Sequence, residues 1–226
     1  MSPSARALLF DFGGTLDSDG VPWKERFFRI LGEEGVPVSR ERFEPAFYGA
    51  CDRLEGTIGE DAGFRELVGR VASGLAERLG EDTGRLRRVG DRFAEDALAR
   101  LSESAALLSR LSVRYRLGIV SNFYGNLGAV CREVGLAPSI GVAIDSAVVG
   151  CKKPDAGIFR AALDALGAGP AEAIFIGDSP SRDMAGARAL GMRHVWLRPG
   201  GSPDGGACCR DDIVIARLAD LERLAL

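Results

Sequence analysis

The sequence contains few of the residues that form thiolate-metal sites, histidine relays or disulfide frameworks. It has one histidine, His194, which lies in an apolar run up to Leu197, and this position favours the end of a strand over a catalytic base. There is no Cys-x-x-Cys pair and no histidine near a cysteine, so neither a zinc site nor a disulfide framework is indicated. The five cysteines are interpreted as ordinary free thiols: Cys51, Cys131, Cys151, Cys208 and Cys209.

Strong charge and long apolar runs are also missing. The net charge of −3 gives no electrostatic reason to expect a nucleic acid partner, and no run of 18 apolar residues is present to cross a membrane. Residues 1–7 lack the charged and then apolar pattern of a secretion signal, so we expect a cytoplasmic protein. At 226 residues, the chain can bury one core plus a small insert, as a monomer or a homodimer.

The hydrophobic pattern divides the chain into a helical block and an alternating part. Residues 17–101 show helical periodicity, first from Trp23 to Glu34, and no convincing strand. From residue 102 onward, short buried strands alternate with helices of about ten residues, which predicts a parallel, doubly wound α/β sheet. We therefore expect a Rossmann-like core from residues 1–16 and 102–226, with residues 17–101 forming an inserted, all-helical domain.

Polar residues stand at the carboxyl ends of the predicted strands, which is where open α/β sheets place their chemistry. The first strand ends in Asp11 and is followed by two glycines that let the backbone turn sharply and approach a ligand closely. Four such segments are present: Asp11-x-Gly13-Gly14-Thr15, Ser121-Asn122, Lys153-Pro154 and Gly177-Asp178-x4-Asp183.

In this order and context, the four segments resemble the haloacid dehalogenase superfamily of aspartate-nucleophile hydrolases. The resemblance covers residues 5–16 and about 103–226, and the helical block stands where that family inserts a cap domain. Most of the family are phosphatases of small metabolites. The resemblance therefore implies a hydrolase that acts on a small phosphorylated molecule with Mg²⁺ as its cofactor.

The resemblance also implies roles for individual residues. Asp11 would be the nucleophile that forms an aspartyl-phosphate. Ser121 and the backbone amide of Asn122 would bind the phosphoryl oxygens, Lys153 would neutralise Asp11 and the transferring group, and Thr15 would belong to the substrate site. The expected protein ligands of Mg²⁺ are Asp11, Asp178 and the Gly13 carbonyl, with Asp183 bound directly or through an intermediary.

One position departs from the family pattern. Family phosphatases have a second aspartate two residues after the nucleophile, where it acts as general acid and base, and this chain has Gly13 there. General acid-base catalysis typically contributes 10²- to 10⁴-fold, about 3 to 5.5 kcal/mol of barrier, so an ordinary phosphomonoesterase is expected to be slowed.

Several explanations of Gly13 remain open. In the first explanation, the leaving group needs no proton, as in an acyl phosphate, or another group such as Asp17, Asp19 or a cap side chain supplies the proton. In the second, the reaction is a dehalogenation, although dehalogenases of this family need no metal and do not keep an acid like Asp178. In the third, the protein binds a phosphorylated ligand and turns it over little or not at all. A phosphonoacetaldehyde hydrolase is ranked below these, because its Schiff-base lysine would have to be Lys24.

Overall fold

A six-stranded, fully parallel sheet runs through the part of the chain that the computed structural model describes, residues 5–200 and 213–224. Its order in space is β3-β2-β1-β4-β5-β6, which places β1 between β2 and β4. The predicted doubly wound α/β fold is confirmed. The strands are β1 (Ala7–Phe10), β2 (Arg116–Ser121), β3 (Val142–Asp145), β4 (Ala173–Gly177), β5 (Arg193–Leu197) and β6 (Ile213–Ile215).

Four helices fill the segment between β1 and β2: α1 (Trp23–Glu33), α2 (Arg40–Asp52), α3 (Phe64–Leu79) and α4 (Thr83–Leu111). This segment is described throughout and contains no strand, in agreement with the helical pattern. Helix α4 begins where the Asp82 carboxylate accepts a hydrogen bond from the amide of Arg85, and it continues unbroken for 29 residues. The division at residues 101 and 102 stays a prediction, and α4 runs across it.

Shorter helices connect the later strands: α5 (Leu127–Glu133), α6 (Ser146–Val149), α7 (Ala156–Leu166) and α8 (Ala185–Ala189). Before α8, Pro180–Met184 form a wider π-helical turn, in which the Met184 amide donates to the Ser179 carbonyl. After β6, Leu218–Arg223 form a 3₁₀ helix.

Both faces of the sheet are covered by apolar side chains. Along β1, Leu8 and Phe10 belong to the cluster shared with α1–α4, and Ala7 and Leu9 belong to the cluster shared with α7, because successive residues of a strand point to opposite faces. Complete burial of a side chain such as Phe10 stabilises the fold by about 1.5–3 kcal/mol. The continuous α1–α4 cluster joins the helical block to the sheet.

Among the residues singled out in the sequence, His194 lies in β5 and is half-buried, as predicted for a strand residue. Cys51, Cys131 and Cys151 carry free thiols. Cys208 and Cys209 lie outside the described residues. None of the described helices combines the length and the apolar composition that a membrane span requires.

Candidate active site

Three neighbouring strands bring chemical groups to one edge of the sheet. Asp11 follows β1, Ser121 ends β2, and Asp178 follows β4, so the parallel arrangement places all three at the carboxyl ends. Lys153 reaches the same place from the loop between α6 and α7, and Asp183 reaches it from the π-helical turn. The structure thus brings together residues from the four segments.

Lys153 lies at the centre of this group. Its Nζ atom is 2.7 Å from Asp11 Oδ1 and 2.7 Å from Asp183 Oδ1, and its side chain is 2% exposed. Burial acts to lower the pKa of Lys153, but the two carboxylates more than offset this, so the pKa is raised above its ordinary value. The lysine is therefore a fixed cation in the site.

The Asn122 side chain holds the backbone of Lys153 in place. Its Oδ1 atom accepts a hydrogen bond of 2.7 Å from the Lys153 amide, and its Nδ2 atom donates one of 3.1 Å to the Lys153 carbonyl. Paired contacts with both backbone groups fix the position from which the lysine side chain extends. Sequence reasoning assigned only the Asn122 amide to the site and missed this positioning role.

The two oxygens of Asp11 differ in their surroundings. Oδ1 accepts hydrogen bonds from the Phe12 amide at 2.7 Å and the Ser121 hydroxyl at 3.2 Å, in addition to its contact with Lys153. Oδ2 has no hydrogen-bond donor among the described residues. Asp11 is thus oriented through one oxygen while the other is available, and the carboxylate lies at the floor of a cavity.

Three buried carboxylates meet beside Lys153. Asp11, Asp178 and Asp183 each offer an oxygen within 4.8 Å of the others. Burial raises the pKa of Asp178 well above its ordinary value, and the charges of Asp11 and Asp183 raise it further. Like charges about 5 Å apart repel by roughly 3 kcal/mol at an effective dielectric constant of about 20. Three carboxyl groups beside one lysine leave an excess of acidic groups, whose ionised forms a divalent cation with a preference for oxygen ligands would stabilise.

Gly14 allows the loop after Asp11 to pass close to Asp178. Its φ is +92°, and a Cβ atom at this position would lie 2.5 Å from Asp178 Oδ2. The Thr15 hydroxyl donates to Asp178 Oδ1 at 3.2 Å. Thr15 is fully buried, so its contact in the structure is with a candidate metal ligand.

Gly13 has a different reason to be glycine. Its φ is not in the left-handed region, but a Cβ atom there would lie 3.1 Å from Nε1 of Trp23. The indole therefore occupies the space beside Gly13, and Trp23 Nε1 donates to Asp17 Oδ2 at 2.6 Å. The Gly13 carbonyl has no hydrogen-bond donor among the described residues, which leaves it available as a metal ligand.

Asp17 and Asp19, which sequence reasoning considered as replacement acids, are turned away from this cavity. Asp17 is completely buried and binds the Gly14 amide at 2.7 Å and the Arg26 guanidinium at 2.8 Å. Burial raises the pKa of Asp17 and the charge of Arg26 opposes that change. Asp19 accepts a hydrogen bond of 3.0 Å from the Leu218 amide.

Comparison with known proteins decides the family. The family model described as haloacid dehalogenase-like hydrolase matches residues 5–191. The chain belongs to this hydrolase family. Phosphoserine phosphatase of Thermus thermophilus is 39% identical to the hydrolase over 99% of this chain and 92% of that protein. Phosphoglycolate phosphatase of Rhodospirillum rubrum is 31% identical over 86% of this chain and 80% of that protein. The hydrolase is thus phosphatase-like in sequence.

Solved structures share its fold. The HAD-hydrolase YfnB from Bacillus subtilis, described as bound to magnesium, has a TM-score of 0.62 and 23% identity, and 98% of each chain is covered. A crystal structure of a dehalogenase has a TM-score of 0.66 and 23% identity, and 100% of each chain is covered. At this identity the likeness concerns the fold alone.

Above Asp11, the hydrolase has a cavity of about 370 Å³. Residues of α1 and α2 face residues that follow β2 and β4 across it. Apart from Asp11, Ser121 and Lys153, the lining includes Trp23, Phe47, Tyr48, Phe123 and Tyr124 as aromatic residues and Lys24, Glu25 and Arg182 as charged residues. This size and mixture are typical of a small-molecule site.

Lys24 and Glu25 are held as ions. A hydrogen bond from Lys24 to Glu44, 2.8 Å long, raises the pKa of Lys24, so its amine stays protonated and is a poor Schiff-base nucleophile. The Arg40 guanidinium lowers the pKa of Glu25, which makes the carboxyl group a poor proton donor. Sequence reasoning missed Trp23 and Arg182 as lining residues. Trp23 and Arg26 are one helical turn apart, so their side chains share one face of α1, and both bind Asp17. This spacing is a sequence signal that could have placed the indole beside the loop after Asp11.

Proposed function

We propose that this hydrolase is an Mg²⁺-dependent phosphatase of small phosphorylated metabolites that works through an aspartyl-phosphate on Asp11. The observation that carries the proposal is the fixed cation Lys153, 2.7 Å from Asp11 and 2.7 Å from Asp183 beneath a small-molecule cavity. A dehalogenase or a protein that only binds phosphate ligands is the competing assignment.

In the first step, an Asp11 carboxylate oxygen attacks phosphorus, and the bond from phosphorus to the leaving-group oxygen breaks with its electron pair on that oxygen. Lys153 offsets the charge of the carboxylate and of the transferring group. The Ser121 hydroxyl, which donates to Asp11 Oδ1 at 3.2 Å in the free protein, would turn to donate to a phosphoryl oxygen, and the backbone amide of Asn122 would donate to another.

In the second step, water attacks the phosphorus of the aspartyl-phosphate. The bond between phosphorus and the Asp11 oxygen breaks with its electron pair on that oxygen, the carboxylate is restored, and inorganic phosphate leaves with both protons of the attacking water. Asp11, Asp178, Asp183 and the Gly13 carbonyl would hold Mg²⁺, which supplies Lewis-acid stabilisation of phosphoryl charge when bound.

Protonation of the leaving group distinguishes this hydrolase from a standard phosphomonoesterase. Position 13 has no carboxyl group, Asp17 and Asp19 do not line the cavity, and Glu25 is held ionised by Arg40. We therefore expect faster turnover of acyl and aryl phosphates, whose leaving groups depart without a proton, than of alkyl phosphates.

The phosphate assignment is preferred to dehalogenation on electrostatic grounds. Dehalogenation needs no metal, and a site built for it gains nothing from the repulsion among Asp11, Asp178 and Asp183. The absence of an acid at Gly13 is the observation that favours the dehalogenase. Turnover of 2-haloacids that a chelator leaves unchanged would replace our assignment.

The test is a panel of phosphorylated metabolites with Mg²⁺, including acyl phosphates, on wild type and Asp11→Asn. We expect phosphate release by wild type and its loss in the variant. Retained turnover in Asp11→Asn would remove the proposed nucleophile. Binding of phosphate compounds to wild type without turnover of any would support the binding protein instead.

A further inference from the structure

Arg182 stands at the rim of the cavity above Asp11. Its side chain is exposed and lines the cavity, whereas Lys153 and Ser121 are buried at the floor. The backbone amide of Arg182 donates to Ser179 Oγ at 3.3 Å, and its Nε atom donates to the same oxygen at 3.2 Å. These two contacts hold the guanidinium stem while the terminal Nη atoms have no acceptor in the described part of the chain.

The other cations of the cavity wall already have carboxylate partners. Lys24 lies 2.8 Å from Glu44, and Lys153 lies between Asp11 and Asp183. Within residues 5–200 and 213–224, no carboxylate lies within 4.0 Å of the Arg182 nitrogens. The charge of Arg182 acts on Asp178 at longer range, but a guanidinium that is held in place, exposed to the cavity and not in contact with a carboxylate is suited to bind an anion.

We propose that Arg182 selects substrates that carry a carboxylate in addition to the phosphoryl group, by binding that carboxylate through its free Nη atoms. This inference rests on the proposed phosphatase function. Asp11 and Arg182 lie at different depths in the cavity and would therefore bind different groups of one substrate. The phosphoryl group must reach Asp11 at the floor, so the far end of a small substrate lies toward Arg182 at the rim. An arginine fork matches the two oxygens of a carboxylate.

The charge balance agrees with this assignment. On the cap side, the acids Glu25 and Glu44 are matched by Lys24 and Arg40, so no net charge there competes for a substrate anion. Arg182 is left as the charge that a second anionic group would meet. The substrate class is therefore a small phosphorylated molecule that also carries a carboxylate.

The experiment compares phosphoglycolate with its carboxamide, which keeps the shape and removes the second negative charge. The measured quantity is the ratio of kcat/KM for the two compounds with saturating Mg²⁺. We expect wild type to prefer phosphoglycolate by roughly 10- to 100-fold, the range of a charge-assisted hydrogen bond, and Arg182→Gln to reduce the ratio nearly to one through KM. Arg182→Lys should retain part of the preference.

Arg160→Gln is the matched control, because Arg160 is exposed on α7 and does not line this cavity. It should keep the wild-type ratio. An unchanged ratio in Arg182→Gln, including equal losses on both compounds, would overturn the inference and assign Arg182 to the phosphoryl group or to general electrostatics. A wild-type ratio near one would also overturn it. Failure of the proposed function has a separate signature, since wild type would then release no phosphate from p-nitrophenyl phosphate.

Discussion

Restoring a carboxyl group at position 13 tests how the missing acid limits the hydrolase. The backbone at Gly13 accepts an L side chain, but the new Cβ atom would lie 3.1 Å from Trp23 Nε1, 3.4 Å from its Cδ1 and 3.7 Å from its Cε2. The first distance is too short for an undisturbed contact, so the indole must move by a few tenths of an ångström. Overpacking of this kind costs about 1–3 kcal/mol of folding free energy.

The useful variant is therefore Gly13→Asp combined with Trp23→Phe. Phenylalanine keeps an aromatic ring and removes Nε1, at a cost of about 1–3 kcal/mol for the lost hydrogen bond to Asp17. An acid in working position contributes about 10²- to 10⁴-fold. We expect the double variant to hydrolyse an alkyl phosphate at least about 10-fold faster than Gly13→Asn with Trp23→Phe, which has the same shape and no acid.

The assay measures kcat for phosphate release from an alkyl phosphate and from p-nitrophenyl phosphate, with urea unfolding to confirm that both variants are folded. The gain should be larger for the alkyl compound, because nitrophenolate leaves without a proton. Equal rates of the aspartate and asparagine variants on the alkyl phosphate, in folded protein with Mg²⁺ bound, would refute the reasoning. The missing acid at Gly13 would then not limit the reaction.

Three further predictions concern the floor and wall of the site. Asn122→Ala should lower kcat roughly 10-fold and the free energy of unfolding by about 1–3 kcal/mol, because the backbone of Lys153 loses both of its hydrogen bonds to the Asn122 side chain. Steady-state kinetics measure the first effect and a urea titration measures the second. Mg²⁺ at 100 times its Kd should raise the free energy of unfolding of wild type by about 2.7 kcal/mol, which a thermal melt measures. Asp178→Asn should abolish this stabilisation by Mg²⁺. An equal stabilisation of the variant would exclude Asp178 as a metal ligand. Borohydride with phosphonoacetaldehyde should leave Lys24 unmodified in a mass spectrum, since its hydrogen bond to Glu44 raises its pKa and keeps the amine protonated.

The strands and the four polar segments could be predicted because both depend on short-range patterns. Apolar runs of four or five residues define β1, β2 and β4, and parallel pairing then requires that Asp11, Ser121 and Asp178 lie at the same edge. The helical block was predictable for the same reason, since its periodicity extends over many turns. The grouping of these side chains follows from topology alone.

The contacts that modify this grouping could not be predicted in the same way. The two glycines after Asp11 looked equivalent in sequence, but only Gly14 has a positive φ, and Gly13 is constrained by the indole of Trp23. Arg182 carried no signal in the sequence, and only the fold shows that the π-helical turn brings it to the cavity. Asp17 was an acid of plausible position, and only the fold shows it bound to Arg26.

Helix α4 determines how the helical block is mechanically connected to the sheet. With a rise of 1.5 Å per residue, its 29 residues form a rod about 43 Å long, which carries no flexible joint at residues 101 and 102. Any rocking of α1–α3 against the strands must then be absorbed by residues 112–115 or by residues 11–22. The second segment begins with Asp11 and is tied to the rod through the 2.7 Å hydrogen bond from Ser104 to the Leu16 carbonyl. One of the two candidate pivots and the proposed nucleophile therefore belong to one stretch of backbone.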